Sequence, residues 1–566
     1  MCGSSSVASV FCRRMANLLG THLTRHSLQR LTRTDKNTIL LGGRLSVAPP
    51  IPGVTAELAL SVAATIALFL AISFLLGFYM RRKAKNFEEW LVGRRDMGPI
   101  VTGFALIASY LSGWAIFGNA GLTYAYGWSG SWLVGTVSVM GITLCLVLGY
   151  RMRRYVALGA RTVPEMLRIR FESRFVQALA GVTMIILLLV YCVGQYKAMA
   201  TVWTMTTGIP FHGSLVVTAV LVLTYIAIGG YTGTQWVSSF QGILLTVVGW
   251  VLGIAAIIWA GGTAKIADAI SSQTYTAPGG NTTSIPLGDY TLPLPAPSGL
   301  AFPGVDYLGA VATVFMFLFM ATGFPHNLAR FLGVRKISKR EYWVMLFIII
   351  VGGLTPVWIG AVGLAARSVW GDAFMNDSFK PMYADSAAVI TSMSIGVPLA
   401  ALFAACVFAA AVATLAGMCM IMATNVTRDL IHNFYPDVSH RKLLWLTRLM
   451  LVPFVVIPLW WVFTSPPPIL SEFMASSAVA QAGIFFFVVG VSMHWKRATK
   501  WGASAAMIYG LVLALLHPKA YGSVFGLYHW GVWALTLMFG SAALYFLISL
   551  ATEPLPREKL APLFPG

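Results

Sequence analysis

Runs of about 20 mostly apolar residues recur from Ala56 to Leu550, and this repetition limits the fold more than any other feature. Such a run crosses a bilayer as a helix, because only helices and closed barrels satisfy every backbone N–H and C=O where water is absent. Thirteen segments qualify: 57–80, 99–121, 131–150, 175–196, 213–230, 236–261, 306–329, 342–366, 396–426, 443–463, 470–493, 501–517 and 529–550. Charged residues make up 10% of the 566, against 57% apolar, which is too little charge to cover a soluble surface. The expectation is an all-α polytopic membrane protein of about 13 helices. The longest interruption, 262–305, is rich in Pro, Gly, Ser and Thr and reads as one external loop rather than a soluble domain.

The net charge of +20 does not point to nucleic acid, because the basic residues sit in short clusters between apolar runs and not in a patch with interleaved aromatics. With the first loop placed inside, the inner loops hold 26 Lys and Arg, and the outer loops hold five: Lys197, Lys265, Arg367, Lys380 and Lys519. That split puts the N-terminus outside and the C-terminus inside. It also conflicts with the basic tail 1–54, where Arg13, Arg14, Arg25, Arg30, Arg33, Lys36 and Arg44 face one acid, Asp35. Seven positive charges on the outside oppose insertion of the first span, so the tail reads as a disordered or non-native extension, with a cleaved mitochondrial transit segment as the alternative. Cys2, Cys12, Cys145, Cys192, Cys406 and Cys419 show no metal or redox spacing.

Two spans are unfit to be continuous helices. The second runs Gly103 to Gly118 with Ala108-Ser-Tyr-Leu-Ser-Gly-Trp114 at its centre, and the seventh contains Ala321-Thr-Gly-Phe-Pro-His-Asn-Leu-Ala-Arg330. Gly323 relaxes the backbone and Pro325 removes a donor. Freed backbone groups at membrane depth occur where they line a cavity or face protein. The two lie five spans apart, so the second copy runs the opposite way, and paired breaks in matching positions point to solute and ion sites there. The solute-site candidates at the breaks are therefore Tyr110, Ser112, Gly113, Trp114, Thr322, Gly323, Phe324 and Pro325, and Gln195 in the fourth span either faces the solute or is a satisfied interhelical amide. Span interiors carry almost no acids or bases, so a cation site there has to use carbonyls and hydroxyls, which suit Na⁺. Half-helix N-termini can hold a solute carboxylate without an arginine. His326 reads as an inside-facing interfacial residue, and Asp429 as the partner of a basic loop residue. Thr414 is either a ligand or a hydroxyl bonded back to its own turn.

At these residues the chain resembles the sodium:solute symporter family. Leu91-Val-Gly-Arg-Arg-Asp-Met-Gly98 is similar to the start of its first repeat, and Ala108–Trp114 to its first broken helix. Gly127-Trp128, Gly229 to Gln241, Gly323-Phe-Pro-His-Asn-Leu-Ala-Arg-Phe331, Ala413-Thr-Leu-Ala416 and Thr427-Arg-Asp-Leu430 follow in the family's order. The resemblance implies a leucine-transporter-type 5+5 inverted repeat with one span before it and two after. The expected layout is tail 1–54, first span and loop 55–98, first repeat 99–261, external loop 262–305, second repeat 306–493, and two final spans with a short tail, 494–566. It also implies cation ligands at Ala108, Leu111, Ala410, Ala413 and Thr414. Ala413 stands where the family carries a hydroxyl, so one oxygen is missing. Proline symporters carry Asp where this chain has Tyr110, whereas pantothenate-type members share the tyrosine.

The implied activity is Na⁺-coupled symport of a small organic solute by alternating access, with a carboxylate-bearing solute favoured: a monocarboxylate, pantothenate or a neutral amino acid. H⁺ coupling in the same fold is the alternative, as is a transporter-like sensor. A membrane enzyme would need convergent His, Asp or Glu at membrane depth, and a channel a ring of filter residues. The implied partners are the solute, Na⁺ and the lipid bilayer, without nucleic acid or a further cofactor. The implied location is the plasma or bacterial inner membrane, with the mitochondrial inner membrane as the lesser alternative.

Overall fold

The computed structural model describes residues 38–41, 44–47, 51–81, 96–228, 231–276, 282–287, 307–467, 470–516 and 530–564. Most of tail 1–54, the motif residues Leu91 to Arg95, Gly229, Gly230 and Asn281 lie outside them. Two compact units are present, divided after Pro50. In the first, Thr38–Leu41 pairs antiparallel with Arg44–Val47.

The second unit is helical. Among the described residues eight helices are long and apolar enough to cross a membrane, or ten if each of two bent pairs is one span. Shorter apolar helices occupy two more of the expected segments, Phe211–Leu223 and Lys500–Leu515. The segment expected at 131–150 continues Asn119–Gly149, whose path turns at Gly127 (φ 60, ψ −139). A Cβ at Gly127 would lie 2.6 Å from the Leu287 carbonyl oxygen, so both the dihedral and the space require glycine there.

Burial separates centre from periphery. In Val397–His432 and Met474–Met493, 89% of the apolar window is covered by protein, against 28% in Ala56–Tyr79 and Arg441–Thr464. The last two expose Leu60, Leu68, Leu75, Trp445 and Trp460, side chains that lipid covers. The segment leading into the first broken span is tied to the one leaving the second, where Met97 N–H donates to the Gly333 carbonyl and Arg335 N–H to that of Met97.

The connection expected at 262–305 carries a short helix, Thr263–Ser271, and paired strands Thr274–Thr276 and Thr282–Pro286. Two placements of basic residues in outer loops are corrected. Arg367 is not in an outer loop: it is buried inside helix Thr355–Trp370 and donates to Gln273 Oε1 at 2.6 Å and to the Thr274 carbonyl at 2.9 Å, fastening that strand. Lys197 also lies within a helix, Arg174–Thr207, which runs eleven residues past the expected end of its span at 196. It is fully buried and pairs with Asp385 at 2.5 Å. The cost of burying each charge is offset by the other.

Candidate functional site

The first break begins where helix Pro99–Tyr110 ends, with Leu111 at φ −76, ψ 69. The amides that would continue the helix are diverted: Ser112 N–H donates to the Tyr110 carbonyl, and Gly113 N–H to Gln195 Oε1 at 2.9 Å. The Ala108 and Ser109 carbonyls therefore lose their i+4 donors. The chain re-enters helix through a wide turn, Trp114–Gly118, and the two halves are bent by 63°. Trp114 N–H donates to Ser112 Oγ, which also contacts the Tyr191 hydroxyl at 3.1 Å.

The second break follows from proline chemistry. Helix Tyr307–Gly323 stops, Phe324 is extended, and Pro325–Leu328 resumes, with the halves bent by 42°. Pro325 offers no N–H to the Ala321 carbonyl, and Asn327 Nδ2 supplies the missing donor at 3.0 Å. Gly323 is required by packing, since a Cβ there would lie 2.5 Å from the Gln481 carbonyl oxygen.

Tyr191 joins the two breaks. Its ring meets Trp114 edge-on at 6.3 Å and Phe324 at 5.1 Å, while its hydroxyl holds Ser112. With Tyr110, Ser112, Trp114, Phe317 and Met320 it lines a cavity of about 10 Å³, enough for about one water. Tyr191 is a residue that sequence reasoning missed. It sits four positions before Gln195 on one helix face, and an aromatic in an apolar run gives no signal of its partners. Tyr110, Ser112, Gly113, Trp114, Gln195 and Phe324 come together here. Thr322 and Gly323 instead abut Gly490 and the Gln481 backbone, and Pro325 is buried without bordering this cavity.

The cation candidates divide between the break and one continuous helix, Val397–Thr424, which carries Ala410, Ala413 and Thr414. That helix touches the break, as a Cβ on Gly113 would lie 3.5 Å from that of Ala411. Thr414 Oγ1 is buried and has no hydrogen-bond partner, unlike Thr424 and Thr427, which bond back to their own turns. Among the described residues no cluster of His, Cys, Asp and Glu could hold a metal ion.

Two further expectations change. Asp429 does not pair with a loop cation; it is buried and accepts from Thr162 Oγ1 at 2.7 Å and Gln177 Nε2 at 2.8 Å, while Arg428 pairs with Glu165. His326 is not interfacial. It is 2% exposed, stacked on Phe324 at 5.0 Å, and neither ring nitrogen has a hydrogen-bond partner. Arg330, counted among the loop cations, is buried too, and donates to Ser109 Oγ at 2.8 Å and Gln235 Oε1 at 2.9 Å.

Two oppositely placed broken helices around a polar seam, in an all-helical membrane fold, define a secondary transporter of the inverted-repeat class. The chain belongs to the sodium:solute symporter family, whose model matches residues 90–510. It is 24% identical over 461 residues to a sodium/proline symporter 2 of Staphylococcus saprophyticus, covering 80% of this chain and 84% of that one. It is 25% identical over 475 residues to the sodium/proline symporter of Salmonella typhimurium, covering 81% and 88%. A solved structure of a Na⁺-coupled sialic acid symporter, in a substrate-bound outward-open state, superposes with a TM-score of 0.63 at 16% identity, covering 87% of this chain and 98% of that one. This likeness confirms the leucine-transporter-type fold. The chain is a multi-pass membrane transporter of the symporter class, not an enzyme.

Proposed function

We propose that the chain couples inward movement of Na⁺ to uptake of a small carboxylate-bearing solute (a monocarboxylate, pantothenate or a neutral amino acid) across a plasma or bacterial inner membrane. The observation that supports this reading is that the Ala108 carbonyl has lost its helical donor while the Thr414 hydroxyl, on the helix packed against the same break, is buried without a partner. Na⁺ is a hard cation that neutral oxygens suit, and a buried hydroxyl without a partner costs free energy unless something occupies it. The carbonyls of Ala108, Leu111 and Ala410 and the Thr414 hydroxyl are its ligands in this reading, and Ala413 contributes no side-chain oxygen. Tyr110, Ser112, Gly113, Trp114 and Gln195, with Phe324 across Tyr191, take the solute. Thr322, Gly323 and Pro325 act by shaping the second break. Thirteen crossings, with the N-terminus outside, complete the topology.

Proline enters from the relatives' names; 25% identity carries the family and not the solute. The cavity at the break is too small for any organic solute, so transport requires the two bent helices to separate there. Proton coupling is the second reading, favoured by Ala413.

Uptake of labelled proline, pyruvate and pantothenate into proteoliposomes tests this. Accumulation of at least one that needs an inward Na⁺ gradient is the expected result. Accumulation that follows a pH gradient and ignores Na⁺ replaces it with proton coupling. No accumulation of any of the three under either gradient overturns the carboxylate reading.

A further inference from the structure

On the side bearing the inner loops a second cavity, about 80 Å³, opens between the second break and helix Val397–Thr424. Its wall includes Arg161, His326, Arg330, Gly417, Ile421 and Thr424. Gly417, Ile421 and Thr424 follow Thr414 at intervals of three, seven and ten residues, so they continue its helix face toward the inner end.

The wall has a definite chemistry. Two arginines, Arg161 and Arg330, are among the residues that line it and no Asp or Glu is, and Arg330 Nη2 would lie 3.7 Å from a Cβ on Gly417 in the same wall. Two carboxylates lie behind the wall and already hold donors: Glu165 accepts from Arg428 Nε at 2.6 Å and from the Arg161 N–H at 2.7 Å, and Asp429 accepts from Thr162 and Gln177. His326 is 2% exposed, neither nitrogen makes a hydrogen bond of full geometry, and the Ser109 backbone is the acceptor beside the ring. A neutral imidazole always keeps one N–H to donate, and leaving it buried and unused is costly. Arg330 is held in place by Ser109 and Gln235, so its charge is fixed at the wall.

We propose that this cavity is a release subsite for the solute carboxylate, received by the charges of Arg330 and Arg161 with the His326 imidazole donating one hydrogen bond. The subsite rests on the carboxylate reading above. A fixed positive wall draws an anion out of the break before the cytoplasm hydrates it.

The test uses the full chain in inside-out vesicles, with Thr424→Cys and, separately, Ile421→Cys as reporters. The unaltered chain, whose four described cysteines are buried, supplies the background. Reaction rates with an anionic sulfonate and a cationic trimethylammonium methanethiosulfonate are compared, each relative to free cysteine. The expected result is a preference of about tenfold or more for the anionic reagent, reduced by Arg161→Gln. Acetate should slow the reaction where acetamide does not, and His326→Ala should raise the acetate needed by about tenfold. Equal rates for the two reagents, or two inert reporters, overturn the subsite. Chloride protecting as well as acetate at equal ionic strength overturns the carboxylate assignment. Failure of the two readings separates cleanly. Na⁺-driven uptake without charge preference removes only the subsite. Charge preference with acetate protection, but no uptake, leaves a carboxylate-binding cavity and removes its role in solute release together with the transport reading.

Discussion

Gln195 Oε1 accepts the N–H of Gly113 at 2.9 Å, a side chain closing the gap that the first break leaves in a helix 82 positions earlier. The same atom would lie 2.9 Å from a Cβ on Gly113, and Ala198 Cβ would lie at 3.1 Å. Gly113→Leu should therefore abolish uptake while the protein still reaches the membrane, because a bulky side chain fills the seam between the break and helix Arg174–Thr207. Gln195→Leu leaves the Gly113 amide buried without an acceptor, at a cost of about 1–3 kcal/mol. Uptake and membrane abundance, measured side by side, check both; normal uptake by Gly113→Leu would remove this stretch from the site.

The buried pair Lys197–Asp385 yields a stability prediction. Asp385 also accepts the Leu470 N–H at 2.9 Å, so helix Arg174–Thr207, the turn Tyr383–Ser386 and the start of helix Leu470–Phe485 share one carboxylate. Asp385→Asn removes the carboxylate from the buried Lys197 charge and should cost about 3–5 kcal/mol, because the opposite charge that offsets its desolvation is lost. The double variant Lys197→Met with Asp385→Asn should recover part of that. Thermal unfolding in detergent measures the difference. A single variant as stable as the unaltered chain would show that the ion pair is not a structural tie.

These residues also show where the sequence stopped being legible. The two breaks were readable because their causes are local: Pro325 lacks a donor whatever surrounds it, and Ser112-Gly113 supplies weak helix formers in a row. Lys197 was assigned to a loop because hydropathy registers the cost of a lone charge and is blind to a carboxylate 188 positions away. Arg330 and Arg367 are hidden for the same reason, each being a charge whose burial is explained by distant partners, while the burial of His326 comes with Phe324 stacked on its ring. The internal structure of the 262–305 connection is hidden for another reason. Its turn-forming composition is real, but the Thr263–Ser271 helix and the strand anchored by Arg367 depend on packing against helix Thr355–Trp370.

Topology supplies a third prediction. Lys265 and Lys336 are both exposed and lie on loops assigned to opposite sides. In intact cells Lys265→Cys should react with an impermeant maleimide and Lys336→Cys only after permeabilisation. The reverse pattern would invert the orientation and with it the cytoplasmic placement of the 80 Å³ cavity.

The sharpest prediction concerns coupling. With Ala413 in place of a hydroxyl, the proposed site has four protein oxygens: the carbonyls of Ala108, Leu111 and Ala410, and Thr414 Oγ1. Losing one of so few ligands should weaken Na⁺ binding strongly, so Thr414→Ala should raise the Na⁺ concentration for half-maximal uptake about tenfold, the equivalent of about 1.4 kcal/mol. Ala413→Ser adds an oxygen one residue earlier on the same helix and should lower that concentration. The direction of the two changes discriminates between roles. A Thr414 that only packs would reduce protein level or maximal rate and leave the Na⁺ dependence alone, because its hydroxyl would not touch the ion. Opposite shifts from the two variants require the ion to lie between the first break and helix Val397–Thr424. A Na⁺ dependence unmoved by either variant places the coupling site elsewhere.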